Sequence, residues 1–248
     1  WSLEVDAVFF ERAGHACRAV GRLEVVGGQG DRPATPLGTA VLISPRLVAF
    51  AASAIPRESG GTEAAIFDPS LLRVVFGEGE DAGGRIRPPR RFGLESRHLT
   101  WTDPCLGVAV AAVAETNRDG QAVGDQGYLP LLDDTGAVVP GERISLIHHN
   151  ERQSQRIIPR GRRVDRVGGR RYRLKPSRTR TRPGSVLFND QWEWIGLTLS
   201  GDEPWRRARE RCEPPWRASS ADGEPADSGA PRGSTGSRRR WTLWWNRG

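Results

Sequence analysis

The chain has 248 residues and 27.3 kDa, with 37% hydrophobic and 27% charged residues and a formal net charge of +7. That length allows one large or two small domains with a real core. No run approaches the roughly 18 apolar residues of a membrane-spanning helix, which excludes a helical integral membrane protein.

The chain opens on Trp1 and contains no Met, as expected of a processed product or a fragment. No leader is visible. Three cysteines, Cys17, Cys105 and Cys212, are too scattered for a disulfide framework and favour a reducing compartment, hence the cytoplasm.

Residues 6–20 place Val8, Phe9, Ala13, Ala16, Cys17 and Val20 near helical spacing, which predicts one short amphipathic helix. Short runs rich in Val, Leu and Ile follow, punctuated by Gly, Pro and Asp. Strands are expected at 22–26, 38–44, 47–52, 71–76, 106–113, 143–149, 162–167, 170–175, 185–189 and 192–200. Gly168-Gly169 and Asn189-Asp190 supply hairpin turns. So many short strands predict a sandwich or a pair of barrels. Residues 118–140 read as the connection between two halves. From 202 to 248 the chain turns to Arg, Pro, Ser, Gly, Ala and Asp without periodicity, as expected of disorder. That tail ends on Trp241, Trp244 and Trp245 beside three arginines.

The charge is localised. Residues 151–182 hold 13 Arg or Lys against Glu151 and Asp165, and the rest of the chain is mildly acidic. All basic residues but Lys175 are Arg, which a coding bias explains without invoking function. Arg178, Arg180 and Arg182 alternate, so an extended backbone places them on one face. Arg171, Arg173 and Lys175 share a face of the preceding strand, and Arg162, Arg163 and Arg166 come from its partner. Such a surface reads first as a solvated sheet edge protected against further pairing, with a polyanion site as the alternative.

The run Gly38-Thr39-Ala40-Val41-Leu42-Ile43-Ser44-Pro45-Arg46-Leu47-Val48 resembles the first strands of bacterial trypsin-like serine peptidases, near the glutamyl-endopeptidase branch. The segment 49–56 is similar to the strand that delivers the family's catalytic His, and Ser53 occupies that position. Residues 106–113 resemble the strand carrying the catalytic Asp, with Gly107 in its place and Asp103 out of register. Residues 182–197 resemble the nucleophile loop, hairpin and Gly-Leu strand. Aligned from Phe188-Asn189, the nucleophile falls on Pro183; aligned from Pro183-Gly184-Ser185, it is deleted. Both alignments leave Ser185 as the nearby hydroxyl. Residues 144–150 resemble the family strand that often reads Ile-Ile-Gln-His-Pro.

The resemblance spans roughly residues 6–201. It implies an all-β, chymotrypsin/trypsin-like double β-barrel with a short N-terminal helix and a disordered C-terminal tail. The peptidase domain is expected at 1–201, with the helix in about 1–25, the first barrel at 26–117 and the second at 118–201. The tail takes 202–248. It also implies a catalytically inactive homologue that binds an extended peptide or protein segment, through Arg178, Arg180, Arg182, Gly184, Thr198 and Ser200. A residual or rearranged endopeptidase, polyanion binding through the arginines, and a decayed reading frame remain alternatives. No cofactor or metal is implied.

Amide hydrolysis by such a triad needs a hydroxyl, a base bonded to it and a carboxylate fixing the base. Ser53 has no useful proton affinity near neutral pH, Gly107 carries no side chain, and Pro183 lacks both nucleophile and N–H. His15 is placed on the helix and His98 in a polar loop beside Arg97. His148 and His149 are adjacent on one strand and point to opposite faces, as structural histidines. Cys105 lies near the cleft by resemblance, with no His partner evident. Thr198 stands where the glutamyl-specific branch often has the His that recognises acidic side chains.

Overall fold

A computed structural model describes residues 4–26, 34–55, 71–81, 83–103, 105–131, 138–149, 154–168, 171–175 and 183–199. The helix α1 spans Ala7–Ala19. Asp6 caps it, its carboxylate accepting from the Val8 N–H at 3.1 Å. Phe9, Ala13, Ala16 and Ala19 form its buried stripe. Small residues dominate that stripe, so the helix sits close to the sheets beneath it. Val8, expected in the stripe, is instead exposed.

The chain passes from α1 straight into β1 (Val20–Val25), followed by β2 (Thr35–Ser44), β3 (Leu47–Ala51), β4 (Leu72–Phe76), β7 (Arg90–Asp103) and β8 (Val108–Val113). Two short strands, β5 (Gly79–Glu80) and β6 (Ile86–Arg87), pair with each other. The six longer strands close into a barrel in the order β1-β2-β3-β8-β7-β4. Its inside is filled by Leu23, Leu42, Phe50, Phe76, Phe92 and Val113 with smaller residues between them. The barrel thus begins at Val20, within the stretch assigned to the helical lead.

The second unit is a five-stranded sheet of β9 (Arg143–His149), β10 (Gln155–Gly168), β11 (Arg171–Leu174), β12 (Val186–Phe188) and β13 (Trp194–Leu197). Its order is β11-β10-β9-β12-β13, a half-barrel among the described residues. Ile144, Leu146, Val164, Leu187 and Ile195 form its own core. A third cluster joins the two units: Phe9 and Ala16 of α1, Val41 and Ala49 of the barrel, and Ile147, Phe188 and Trp192 of the second unit.

The expected class is met: mostly β, one closed barrel, a half-barrel and one N-terminal helix. The Asn189-Asp190 turn stands as expected, with the Asn189 side chain accepting from the Gln191 and Glu193 N–H groups at 3.0 and 2.9 Å. Two elements differ from the sequence reading. His98 lies within β7, not in a loop. β10 begins at Gln155, seven residues before the expected 162, because a bulge between Ile158 and Arg162 carries the strand past Pro159 and Gly161. The tail and Gly169 lie outside the described residues.

Candidate functional site

At the end of β3 the chain enters a 3-10 turn, Ala52–Ala54, with Ser53 exposed at its middle. The Ala52 N–H donates to the Gly107 carbonyl at 2.8 Å. Gly107 precedes β8 and has φ +69°, a left-handed backbone that favours glycine. A Cβ there would stand 2.9 Å from Leu199 Cδ2. Asp103 does not replace the missing carboxylate. Its Oδ1 accepts from the Cys105 and Leu106 N–H groups at 2.8 and 2.9 Å, so it shapes the turn before Gly107.

Residues 183–185 reach the same region from the second unit. A Cβ on Gly38 of β2 would meet the Pro183 carbonyl at 2.6 Å, so the two backbones are in close approach. Gly184 has φ +81°, and a Cβ there would lie 2.6 Å from the Thr39 carbonyl and 3.5 Å from the Ala51 nitrogen. The Gly184 N–H donates to the Thr198 carbonyl at 2.7 Å, and the Ser185 N–H to Thr198 Oγ1 at 3.0 Å. Thr198 returns its own N–H to the Ser185 carbonyl at 2.9 Å. Ser185 is fully buried.

The fold therefore gathers the sequence-selected positions near the end of β3: Ser53 and Gly107 through the Ala52 bond, Gly184 against Ala51, and Thr198 beneath residues 184 and 185. Arg178, Arg180, Arg182 and Ser200 lie outside the described residues.

The histidines serve elsewhere. His149 is buried at the junction of the two units, where its N–H donates to Thr39 Oγ1 at 3.1 Å and its Nδ1 lies 3.4 Å from the same oxygen. Burial first, then the charges of Arg22 and His148, push its pKa down to about 3. The ring stays neutral at ordinary pH, with Thr39 beside it. His148 is 5% exposed, and its pKa is lowered by burial, then by Arg162 and Arg156. Its Nδ1 is buried with no hydrogen-bond partner among the described residues. His15 is exposed on α1, its ring beside Gly127.

Cys105 is half-buried, and its carbonyl accepts from the Arg171 guanidinium. Arg171 was expected on a common basic face with Arg173 and Lys175. Instead it reaches from β11 to the first unit and holds the loop before Gly107. Arg173 faces Asp165 at 3.5 Å, while Lys175 is exposed. Sequence reasoning met Thr39 only inside a strand motif and Arg171 only as part of a basic face, and assigned neither to this site. Nothing in a Gly-Thr-Ala strand or an Arg-Tyr-Arg strand announces contacts to the opposite unit. Among the described residues, no group of three or more His, Cys, Asp or Glu could hold a metal ion.

No known family profile matches the sequence. The protein y4fB of Sinorhizobium fredii, whose name calls it uncharacterized, is 29% identical over 214 residues. That match takes in 80% of this chain and 30% of y4fB, so the chain spans about a third of that protein. Among solved structures, a serine endoprotease from Yersinia pestis aligns with a TM-score of 0.48 at 16% identity, over 81% of this chain and 61% of the other.

Proposed function

We propose that the chain is a catalytically inactive relative of trypsin-like serine peptidases that binds an extended peptide or protein segment. The observation that carries the reading is the state of residues 183–185. An acyl-transfer site needs N–H donors free to meet a developing oxyanion. Here Pro183 has no N–H, and those of Gly184 and Ser185 are both given to Thr198. The one hydroxyl of the loop, on Ser185, is fully buried. Ser53 and Gly107 supply neither base nor carboxylate.

Binding needs none of these groups. β13 is an edge of the second sheet among the described residues. Thr198, just after it, spends both backbone groups inward on residues 184 and 185. By the alternation of an antiparallel ladder, Leu197 and Leu199 turn theirs to the other side, where a peptide can add as a strand.

The test is a fluorophosphonate probe on the folded, purified chain, read by intact mass. No mass gain is expected under conditions that fully label a trypsin control. Stoichiometric labelling that disappears in Ser185→Ala would overturn the inactive reading.

A further inference from the structure

Helix α1 carries a second apolar stripe beside its buried one. Phe9, Ala13 and Ala16 face the sheets. Phe10, Gly14 and Cys17 stand four and three residues apart, so they line up on one flank. Phe10 is 63% exposed, the most of any large apolar side chain on α1. Gly14 is exposed, and a Cβ there would meet nothing within 4 Å. Cys17 is half-buried, and burial pushes its thiol up to about 11, so it stays uncharged.

The first half of β10 runs beside this flank. At one end, Gln155 donates through Nε2 to the Cys17 and Val20 carbonyls at 3.0 and 2.9 Å. At the other, Arg160 donates to the Glu4 carbonyl at 3.3 Å, and its guanidinium lies 5.5 Å from the centre of the Phe9 ring. Ile157 stands between them and is 42% exposed. Its cross-strand partner Ile147 belongs to the cluster that buries Phe9, so Ile157 is on the helix side of the sheet. His15, on the other flank of α1, lies against Gly127. Phe10, Gly14, Cys17 and Ile157 thus form one apolar strip that the other described residues leave open to solvent.

Folding alone does not reward this arrangement. Glycine is a poor helix former, and an exposed ring gains nothing from burial. Together they make a flat seat for a large side chain. Residues 241–245 read Trp-Thr-Leu-Trp-Trp, whereas residues 217–240 contain no Val, Ile, Leu, Phe, Tyr or Trp. Each indole can bury about 150–250 Å². Trp241 lies about 40 residues beyond Leu199. That much chain spans up to ~130 Å when extended, enough to reach any face of the fold. A tethered segment also meets its site at a higher effective concentration than a free partner does. The charges set an orientation: Asp6 and Glu11 are exposed at the Phe10 end, and Arg238, Arg239 and Arg240 directly precede the tryptophans.

We propose that the strip of Phe10, Gly14, Cys17 and Ile157 is the docking site for residues 241–245 of the same chain, with the three preceding arginines over the acidic end of α1. The strip is separate from β13 and from the loop at 183–185, so its test does not depend on the peptide-binding reading.

The experiment is hydrogen–deuterium exchange of the full chain, read by mass spectrometry on peptic fragments. The amides of 241–245 should exchange about tenfold more slowly than in a free peptide of sequence 238–248. Phe10→Asp places a carboxylate in the N-terminal part of α1, which the helix dipole favours, and leaves the buried stripe intact. It should return 241–245 to the free-peptide rate. Ile157→Thr keeps a β-branched strand residue and should move the rate the same way. The amides of β8 and β9 should keep the parent's rates in both variants.

Protection that does not change with protein concentration assigns the docking to the chain's own segment. Protection that disappears on dilution assigns it to a second copy and overturns the proposal. The proposal also fails if 241–245 exchanges like the free peptide in the parent chain, or if both variants keep the protection.

Discussion

His149 shows how one side chain couples the two units and the surrounding pH. In the unfolded chain its imidazole titrates near 6.5, and in the folded one near 3, because burial and Arg22 oppose a second positive charge. The sign follows from the lowered value. Above pH 6.5 neither state is protonated and the folded state keeps its full stability. Between 6.5 and 3 only the unfolded state binds the proton, so stability falls as pH falls. The total loss is on the order of 5 kcal/mol, reached near pH 3. His148 acts in the same direction. Urea unfolding across this range should show the slope, and His149→Gln should flatten most of it. A variant with the parent's pH dependence would show that another group carries the acid sensitivity. The sequence placed the two histidines on opposite faces, because strand alternation is a local rule. It offered no sign of Thr39 or Arg22 as neighbours, since those come from strands more than a hundred residues earlier.

Among the elements, β1 and β4 are held by charge as well as by ladder bonds. Glu24 is 2% exposed and accepts from Arg22 at 3.0 Å and from Arg73 of β4; Arg22 also reaches Glu78. Removing Glu24 takes from Arg22 and Arg73 the buried carboxylate they share. Glu24→Ala should therefore cost about 3–5 kcal/mol in chemical denaturation. Glu78 is a third exposed, so Glu78→Ala should cost about 1 kcal/mol or less. Equal losses would mean that packing around β1 dominates the charges.

The strands that sequence reading found are those with dense Val, Leu and Ile between turn residues. β7 escaped it. Phe92 and Leu94 alternate with exposed Arg91 and Gly93, but a bulge between Glu95 and Thr100 breaks the period after five residues. The first half of β10 escaped it for a related reason. Pro159 and Gly161 read as breakers, yet they flank Arg160, whose φ of +49° and paired bonds to Asp190 belong to the bulge itself. The turns around the candidate site were legible as Gly and Pro, whereas the spending of their N–H groups on Thr198 was not.

At the scale of the whole molecule, the two units are not separate bodies. Phe9, Val41, Ala49, Ile147, Phe188 and Trp192 belong to one buried cluster fed by the helix, the barrel and the second sheet. Ile147 is fully buried on β9, and Phe9 and Phe188 both lie with ring centroids about 5 Å from Trp192. A shared core of this kind makes the loss of either unit expose the inner face of the other, so unfolding should be a single transition. Trp101 of β7 and Trp192 report on the two units, and variants with Phe at every one of the nine tryptophans except Trp101, or except Trp192, separate the signals. Both variants should melt at the same urea concentration. Ile147→Ala should lower both midpoints together, at a cost of about 2–5 kcal/mol. Two transitions, or an Ile147→Ala effect confined to the Trp192 reporter, would show that the barrel stands alone. In that case the loop at 183–185 would be held against Gly38 and Thr39 only by local contacts.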